Sequence, residues 1–310
     1  MLRFLPGPLK GIISAIIYFF NTVFCAIFLY PVALIKLIIP HHRVRRWCNF
    51  VLDQLGTNWI SVNSWNIHLT KKIHWHVTGT DTLDRHNWYL VIANHQSWVD
   101  ILVLQYIFNR KIPFLKFFLK KELIWVPILG LAWWGLDFPF MKRYPNSLIK
   151  KKPHLKGKDI EITRRACQKF KDNPVSVMNF VEGTRFTNDK HKQQLSPYKH
   201  LLRPKSGGIA FVLAAMGDQI QNMLNVTIVY PAGKKSFWQF VCGKVTDIIV
   251  SVEVLPVYDY LIGDYFNDPK FKKSFQNSIN DLWGQKDKKI QMLYDEWDVL
   301  SGEAHRLKSN

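Results

Sequence analysis

A nearly continuous apolar run opens the chain between residues 11 and 40. The hydrocarbon core of a bilayer is crossed by about 20 helical residues, so this leader predicts a membrane-anchoring helix. Pro31 lies inside the run and can kink or turn the chain, so a helical hairpin lying in one leaflet stays open as an alternative. The run is longer than the apolar part of a secretory signal, and no small-residue cleavage site follows it.

Basic residues are unevenly placed around the leader. Arg43, Arg45 and Arg46 follow it, whereas Arg3 and Lys10 precede it. Because cytoplasmic flanks of membrane segments carry the excess of Lys and Arg, this bias predicts that the rest of the chain lies in the cytoplasm.

Short apolar runs and polar–apolar alternation after the leader predict an α/β fold. A helix is expected over residues 45–65, followed by an alternating strand over Lys72–Thr78. Trp88–Ala93 and Val175–Val181 are almost wholly apolar and predict buried strands, and a further strand is expected from Asn225.

Four other segments have patterns of their own. Ile124–Trp134 is apolar on all sides but too short to span a bilayer, which favours a buried helix packed in the core over a wall for an acyl chain. Residues 156–173 predict an amphipathic helix, and Phe237–Val257 alternates enough for two more strands. Asn267–Leu300 predicts a charged helix with an apolar docking stripe. The stripe consists of Phe271, Phe275, Ile279, Leu282, Ile290 and Leu293.

The net charge of +19 is concentrated in one segment. Residues 110–165 hold 14 Lys and Arg against 4 Asp and Glu, interleaved with Phe and Trp. Basic and aromatic residues together suit anionic lipid headgroups at a bilayer surface. They also suit nucleic acid, but the chain has no nucleic-acid-binding motif, so we expect no nucleic-acid partner.

The cysteines limit the possible chemistry. Cys25, Cys48, Cys167 and Cys242 form no C-x-x-C pair and no cluster with histidine at metal-ligand spacing. The sequence therefore predicts neither a zinc site nor a disulfide framework.

The stretch Asn94–Asp100 carries the first candidate chemistry. It follows the strand predicted over Trp88–Ala93, and the residues after it can open a helix. His95 is therefore expected at the carboxyl end of a strand, where open α/β sheets place their functional groups, with Asp100 across the first helical turn. A carboxylate on one imidazole nitrogen fixes the tautomer and leaves the other nitrogen to take a proton. Taken alone, the pattern also fits a surface histidine beside a helix-start aspartate.

The stretch Glu182-Gly183-Thr184-Arg185 follows the second buried strand. Gly183 allows a tight turn, Thr184 offers a hydroxyl, and Arg185 offers a planar fork suited to a phosphate. By itself this tetrapeptide also fits an ordinary turn with a solvated arginine.

The two stretches, about 85 residues apart, together resemble the glycerolipid acyltransferase family. The family's N-H-x-x-x-x-D motif is met by Asn94, His95 and Asp100, and its F-P-E-G-T-R motif is met except that Val181 replaces proline. Two further motifs match more loosely. In the second motif, an aromatic residue followed by arginine, the matching residues would be Phe140 and Arg143, with Asp137 where the family usually has glycine. In the fourth, an apolar strand that ends in proline, the proline would be Pro231. Within the family, the motifs of this sequence most resemble those of a bacterial branch of lysophosphatidic acid acyltransferases with a long hydrophobic leader.

The resemblance implies both a fold and a reaction. The fold would be a single α/β domain with a central mixed sheet flanked by helices, plus the N-terminal membrane-anchoring helix or helical hairpin. We expect the anchor over residues 1–45, the acyltransferase domain over 46–260 and a C-terminal helical extension over 261–310. The reaction would move a fatty acyl chain to the free hydroxyl of lysophosphatidic acid, giving phosphatidic acid.

The resemblance also implies residue roles and partners. His95 would act as general base, oriented by Asp100. The acceptor's phosphate and its surroundings would be bound or shaped by Lys142, Arg143, Glu182, Gly183, Thr184 and Arg185. The acyl donor would be acyl-coenzyme A or acyl carrier protein as cosubstrate, with no metal, cofactor or prosthetic group. Membrane lipids would supply the acceptor at the cytoplasmic face of a bacterial inner membrane.

Three alternatives remain from the sequence. The same site could acylate another lysophospholipid, such as lysophosphatidylglycerol or lysophosphatidylinositol. A hydrolase could use Ser97 as nucleophile with His95 and Asp100, although no G-x-S-x-G elbow surrounds the serine. A non-catalytic lipid-binding protein is the third possibility.

Overall fold

The computed structural model describes residues 2–141 and 173–308. Lys142, Arg143 and almost all of the helix predicted over residues 156–173 lie outside the described residues. In chain order the described helices and strands are α1 (Gly7–Ile38), α2 (His42–Thr70), β1 (His74–Thr78), β2 (Trp88–Ala93), α3 (Val99–Phe108), β3 (Leu115–Phe117), β4 (Leu119–Lys120), α4 (Leu129–Gly135), β5 (Phe140–Met141), β6 (Ser176–Phe180), α5 (Asn188–Gln193), α6 (Gly207–Met216), β7 (Ile220–Val229), α7 (Phe237–Val241), β8 (Asp247–Pro256) and α8 (Pro269–Lys308).

The apolar leader forms one helix, α1, which continues through Pro31. The turn or re-entrant break considered at Pro31 is therefore wrong. A helical hairpin does form, but its second arm is α2, which packs on α1. Among the described residues, α1 is the one helix that is long and apolar enough to cross a membrane by length and composition.

Polar side chains join the two helices of the hairpin. The amide of Asn21 in α1 donates to the carbonyl of Trp59 at 3.0 Å and to Oδ1 of Asn63 at 2.8 Å in α2. Nearer the start of α1, Ser14 Oγ donates to Oδ1 of Asn66 at 3.2 Å. These contacts explain why an otherwise apolar leader carries Ser14 and Asn21, since interhelical hydrogen bonds fix how two helices pack.

The strands form a mixed six-stranded sheet in the order β1-β8-β7-β2-β6-β3. β2 lies inside the sheet and runs parallel to both β6 and β7, whereas β7 and β8 are antiparallel. Alternate residues of a strand face opposite sides. Accordingly, the sheet has one hydrophobic core on each face. Tyr89, Val91 and Ala93 pack in the core that also contains residues of α1, α2 and α3, and Leu90 and Ile92 pack in the core that contains residues of α6 and α8. The α/β class and the central mixed sheet flanked by helices are confirmed.

Two local predictions are wrong. Phe237–Val257 contains one short helix, α7, and one strand, β8, where two strands were expected. Ile124–Trp134 is not a buried core helix, because the Trp125 and Leu131 side chains are 85% and 50% exposed. The charged C-terminal helix is confirmed, and Phe275, Ile279 and Ile290 of its stripe are buried.

Helix α1 contacts the α/β domain near both of its ends. Near the start, a side chain at Gly11 would collide with Trp238 and Cys242 around α7. Near its end, the Lys36 ammonium forms an ion pair with Asp137 and donates to the carbonyl of Gly135 at 3.1 Å. Asp137 has a φ of 57°, the left-handed conformation that favours glycine, so the residue that departs from the family's usual glycine keeps a glycine-like backbone.

We expect this ion pair to contribute to stability as a unit. The two side chains are 14% and 9% exposed. Removing one partner from a buried pair costs up to about 3–5 kcal/mol, because the other charge stays desolvated. Lys36→Met should therefore lower the free energy of unfolding in detergent micelles much more than Lys121→Met, which removes an exposed lysine.

The double variant Lys36→Met/Asp137→Gly should recover most of that loss, since it also removes the desolvated carboxylate and relaxes the left-handed residue. Additive losses from the two single variants would contradict this coupling.

Candidate active site

The loop between β2 and α3 brings His95 and Asp100 together. β2 ends at Ala93 and α3 begins at Val99, so the chain reverses over a few residues. His95 Nδ1 donates to Asp100 Oδ2 at 2.9 Å. The predicted contact between the two side chains is confirmed.

The Asp100 carboxylate is buried and receives three further hydrogen bonds. Oδ2 also accepts the backbone N–H groups of Gln96 at 2.6 Å and Ser97 at 2.9 Å. Oδ1 accepts the Tyr230 hydroxyl at 2.6 Å. Burial raises the pKa of Tyr230 well above its ordinary value, followed in effect by the nearby Asp100 charge, so the phenol keeps its proton as a donor. The carboxylate is thus held on both oxygens.

This arrangement leaves the far edge of the imidazole available. Because Nδ1 donates to Asp100, Nε2 is the nitrogen that can accept a proton. The ring stacks on Phe180 with centroids 3.8 Å apart and planes 14° apart, and the side chain is 12% exposed. Nε2 makes no hydrogen bond to any residue that the structure describes. This geometry suits a general base that accepts the proton of a substrate hydroxyl on Nε2.

Two side chains connect the His95 backbone to the neighbouring strands. The amide of Asn94 donates to the carbonyl of Ile228 in β7 and accepts the N–H of the same residue, both at 2.9 Å. Glu182, just beyond β6, accepts the backbone N–H of His95 at 2.9 Å on Oε1 and that of Leu202 at 3.0 Å on Oε2. Glu182 is fully buried. Its carboxylate therefore holds the loop and has no surface that a substrate could contact.

Burial also changes the ionisation of Glu182. Burial raises its pKa to about 7, and the two backbone N–H donors from His95 and Leu202 oppose that rise. An ionised carboxylate can accept both N–H groups, one on each oxygen.

The residues after Glu182 form a basic edge beside His95. Gly183 has a φ of 66°, which turns the chain, and the backbone N–H of Phe186 donates to the carbonyl of His95 at 2.7 Å. The exposed Arg185 guanidinium lies 4.6 Å from the ring centroid of Trp98. Cation–π contact of this kind orients an arginine fork without neutralising its charge.

Two lysines that the sequence argument missed complete this edge. Lys190 Nζ donates to Thr184 Oγ1 at 2.7 Å and to the carbonyl of Arg185 at 3.2 Å. Lys234 Nζ donates to the carbonyl of Phe186 at 2.9 Å. Both lysines lie outside the two recognised motifs, and only their position in the fold joins them to Arg185.

Ser97 is placed differently from a catalytic nucleophile. Its hydroxyl donates to the carbonyl of Lys235 at 3.0 Å and accepts the backbone N–H of Val99 at 3.3 Å. The residue is buried, and its proton is directed at a backbone carbonyl and away from His95.

The structure therefore brings together six of the eight residues predicted from the sequence: His95, Asp100, Glu182, Gly183, Thr184 and Arg185. Lys142 and Arg143 lie outside the described residues. Phe140 lies on β5, and Pro231 follows the Tyr230 that binds Asp100. No group of three or more His, Cys, Asp or Glu residues within residues 2–141 and 173–308 could hold a metal ion.

Comparison with known proteins gives consistent matches. A family model described as Acyltransferase matches residues 74–233, just over half of the chain. The mouse (Mus musculus) 1-acyl-sn-glycerol-3-phosphate acyltransferase gamma is 24% identical over 230 residues, which cover 70% of this chain and 56% of the mouse protein. A 2-acyl-1-lysophosphatidylinositol acyltransferase of Saccharomyces cerevisiae is 21% identical over 257 residues, 68% of this chain and 63% of the yeast protein. The chain spans little more than half the length of the mammalian gamma acyltransferases that it matches.

A solved structure has the same fold. The 1-acyl-sn-glycerophosphate (LPA) acyltransferase PlsC from Thermotoga maritima superposes with a TM-score of 0.51 over 93% of this chain and 97% of that chain, at 16% identity. The region matched by the family model begins at β1 and includes His95, Asp100, Glu182 and Tyr230. The family predicted from the sequence is confirmed: the chain belongs to the Acyltransferase family.

Proposed function

We propose that this protein transfers a fatty acyl chain from acyl-coenzyme A or acyl carrier protein to the free hydroxyl of lysophosphatidic acid, giving phosphatidic acid. The observation that carries the proposal is the His95–Asp100 pair at the carboxyl end of β2, with the basic edge of Arg185, Lys190 and Lys234 beside it. A base next to a cluster of cations suits an acceptor that carries a hydroxyl and a phosphate a few atoms apart.

The reaction is a direct transfer. His95 Nε2 removes the proton from the acceptor hydroxyl as its oxygen attacks the carbonyl carbon of the donor thioester. Asp100 supports the imidazolium that forms, because its Oδ2 already accepts Nδ1–H. When the tetrahedral intermediate collapses, the carbon–sulfur bond breaks, the new ester remains, and the thiolate takes the proton from Nε2. No metal or prosthetic group takes part, and the cosubstrate carries the acyl group.

The acceptor's phosphate is assigned to the basic edge. Arg185 is exposed and contacts the Trp98 ring. The ammonium groups of Lys190 and Lys234 bind the two residues that flank it, Thr184 and Phe186. Lys142 and Arg143 are proposed to add charge to the same site. Phosphate recognition favours arginine because the guanidinium donates two parallel hydrogen bonds.

Other lysophospholipids remain the alternative acceptors. The yeast relative is named for lysophosphatidylinositol, and a phosphodiester headgroup would meet the same cations. A serine hydrolase is disfavoured by the Ser97 hydroxyl, which is engaged with Lys235 and Val99. A purely lipid-binding role is disfavoured by a base whose Nε2 edge is kept available.

The hairpin of α1 and α2 is proposed to lie in one leaflet. Contacts to the α/β domain extend along α1 from Gly11 to Lys36, a helical distance of about 38 Å. That distance exceeds the hydrocarbon core of about 30 Å, so a helix crossing the bilayer would carry one of these contacts to the opposite side. Large apolar side chains cover the outward surface of the hairpin and of the α4 region. They include Phe19, Phe20, Phe24, Phe28, Trp47, Phe50, Trp65, Trp125 and Leu131.

This placement puts the active site at the membrane surface. The acceptor's chain stays in the leaflet, while acyl-coenzyme A and acyl carrier protein are water-soluble. The proposed location is the cytoplasmic face of the membrane, in a bacterium the inner membrane, since both donors are made in the cytosol.

Substitution of the catalytic pair tests the reaction. His95→Ala should lower acyl transfer by about 100- to 10,000-fold, the usual contribution of a general base. Asp100→Asn should also be strongly impaired, and Tyr230→Phe should be impaired less, because it removes one of several donors to Asp100. The assay measures ester formation by purified protein in mixed micelles, with circular dichroism to confirm folding.

Ser97→Ala is the matched control and should keep most of the transfer activity. A burst of acyl-enzyme, or a loss of activity in Ser97→Ala as large as that in His95→Ala, would contradict direct transfer and favour the hydrolase.

Substitution of Arg185 tests the phosphate site. Loss of a charge-assisted contact worth about 1.5–3 kcal/mol should raise the acceptor's KM by roughly 10- to 150-fold, with little change in the donor's KM. Arg185→Lys should recover only part of the loss, since an ammonium lacks the planar fork. Arg85→Ala, an exposed arginine before β2 at the opposite end of the sheet, is the control. A rise confined to the donor's KM would assign this edge to the donor's phosphates.

Cysteine labelling tests the one-leaflet anchor. Single cysteines at Phe4 and His41, which flank α1 and are exposed, are introduced into a chain whose four native cysteines are replaced. In sealed vesicles a membrane-impermeant maleimide should label both from the side that labels Asn188→Cys, an exposed position near the active site. Labelling of the two flanks from opposite sides would show that α1 spans the bilayer.

A further inference from the structure

The C-terminal helix α8 lies outside the part of the chain that the family model matches, yet it contacts the active-site support. The match ends at residue 233, whereas α8 begins at Pro269. Its apolar stripe packs into the hydrophobic core on one side of the sheet. Two of its buried side chains, Trp283 and Lys286, do more than fill space.

Trp283 holds the segment that binds Glu182. The indole is fully buried and its Nε1 donates to the carbonyl of Leu202 at 3.1 Å. The N–H of the same Leu202 donates to Glu182 Oε2, and Glu182 Oε1 accepts the N–H of His95. One turn further along α8, Asp287 accepts the backbone N–H groups of Lys199 and His200 at 2.8 and 2.7 Å. Helix α8 therefore fixes the whole of segment 199–202.

Lys286 reaches the sheet beneath His95. Its side chain is almost fully buried, and its ammonium donates to the carbonyl of Val226 and to Thr227 Oγ1 in β7. Val226 is the register partner of Ala93, the last residue of β2. A lysine at this depth is rare without a charged partner, and the acidic groups whose charges act on it are Glu253 of β8 and Glu182.

The charges of Lys286 and Glu182 depend on each other. Burial lowers the pKa of Lys286 to about 7, opposed by the charges of Glu253 and Glu182. Burial raises the pKa of Glu182 to about 7, opposed by the His95 and Leu202 N–H donors and by Lys286, while Asp100 raises it further. Lys234, in the loop between β7 and α7, is also coupled to Glu182. Burial lowers the pKa of Lys234, and the charges of Asp100 and Glu182 oppose this. Both buried groups therefore titrate close to neutrality.

We propose that Trp283 and Lys286 are positioning residues of the active site, which act on His95 through Leu202 and Glu182. The mechanism rests on the charge of the acceptor. An ionised Glu182 accepts both N–H groups in charge-assisted hydrogen bonds, whereas a protonated Glu182 accepts them more weakly. The Lys286 ammonium favours the ionised form and so holds the His95 backbone in place. This inference rests on the proposed acyl transfer for its catalytic consequence.

The experiment is a double-mutant cycle on the full-length protein in micelles. Lys286→Met should lower kcat by roughly tenfold, because a base displaced by a fraction of an ångström loses alignment, with the KM of both substrates unchanged. It should also move the acid limb of the kcat/KM profile to higher pH, because the Lys286 charge lowers the pKa of Glu182 and the variant removes it. Lys288→Met, an exposed lysine two residues further along α8, should leave kcat and the pH profile unchanged.

The coupling separates this role from a merely structural one. In a Glu182→Gln background, which no longer titrates, Lys286→Met should produce no further shift of the acid limb. A full shift in that background would overturn the proposal, as would an unchanged pH profile accompanied only by a lower melting temperature. If Lys286→Met fails to fold, Lys286→Gln keeps a donor for Val226 without the charge and enters the same cycle.

A readout without substrate keeps the inference separate from the proposed function. Hydrogen exchange of the peptides that contain His95 and Leu202 should be faster in Lys286→Met and in Trp283→Phe than in Lys288→Met. Unchanged exchange in both variants would overturn the positioning role even in an active enzyme. Faster exchange in a protein that transfers no acyl group would retain the positioning role and reject the proposed reaction alone.

Discussion

The burial of one carboxylate constrains the whole active-site loop. Asp100 has no exposed surface, and a buried charge must be paired or hydrogen-bonded to be tolerated. Its oxygens meet that requirement with the His95 imidazole, two backbone N–H groups of the same loop and the Tyr230 hydroxyl. The loop can adopt few other conformations without orphaning the charge. The tautomer of His95, the start of α3 and the end of β7 are therefore consequences of the same group.

Where the backbone hydrogen bonds of the sheet end, side chains bind the next backbone groups. Beyond Ala93 the chain leaves the β2 strand, and the Asn94 amide then forms the pair of hydrogen bonds with Ile228 that a strand residue would have made. Glu182 does the same for the peptide of His95 on the side of β6. The imidazole is thus held on rigid elements from both neighbouring strands, which is the condition for a catalytic group to keep its alignment.

Sequence patterns predicted what is local and missed what is distant. His95 and Asp100 are five residues apart, so the end of a strand and one helical turn suffice to bring them together. Tyr230 follows 130 residues later, and no periodicity in the chain connects it to Asp100. Lys286 lies outside the apolar stripe predicted for its helix, since lysine normally faces solvent, and only the packing of α8 on β7 buries it.

Two errors have a different physical origin. Phe237–Val257 alternates, but a window of five residues such as α7 is too short for alternation to distinguish a helix from a strand. The apolar sequence of Ile124–Trp134 predicted a helix buried in the core, whereas the side chain of Trp125 is almost fully exposed. Apolar residues serve a protein core and a lipid phase equally well, so composition alone could not decide between the two. By contrast, the leader was long and apolar enough to predict a helix, although not its continuation through Pro31, and the C-terminal helix was long enough for its periodicity to be clear.

The ion pair between Lys36 and Asp137 links the apolar helix α1 to the chain segment that leads, six residues later, to Arg143. Helix α1 and the residues around Asp137 are consequently one rigid piece. With the one-leaflet anchor and the acceptor site proposed above, this would fix the height of the phosphate site above the acyl chains. A lipid whose hydroxyl and phosphate lie at other depths would then be misaligned, so the proposed enzyme would discriminate among lipids by geometry along the membrane normal as well as by headgroup chemistry.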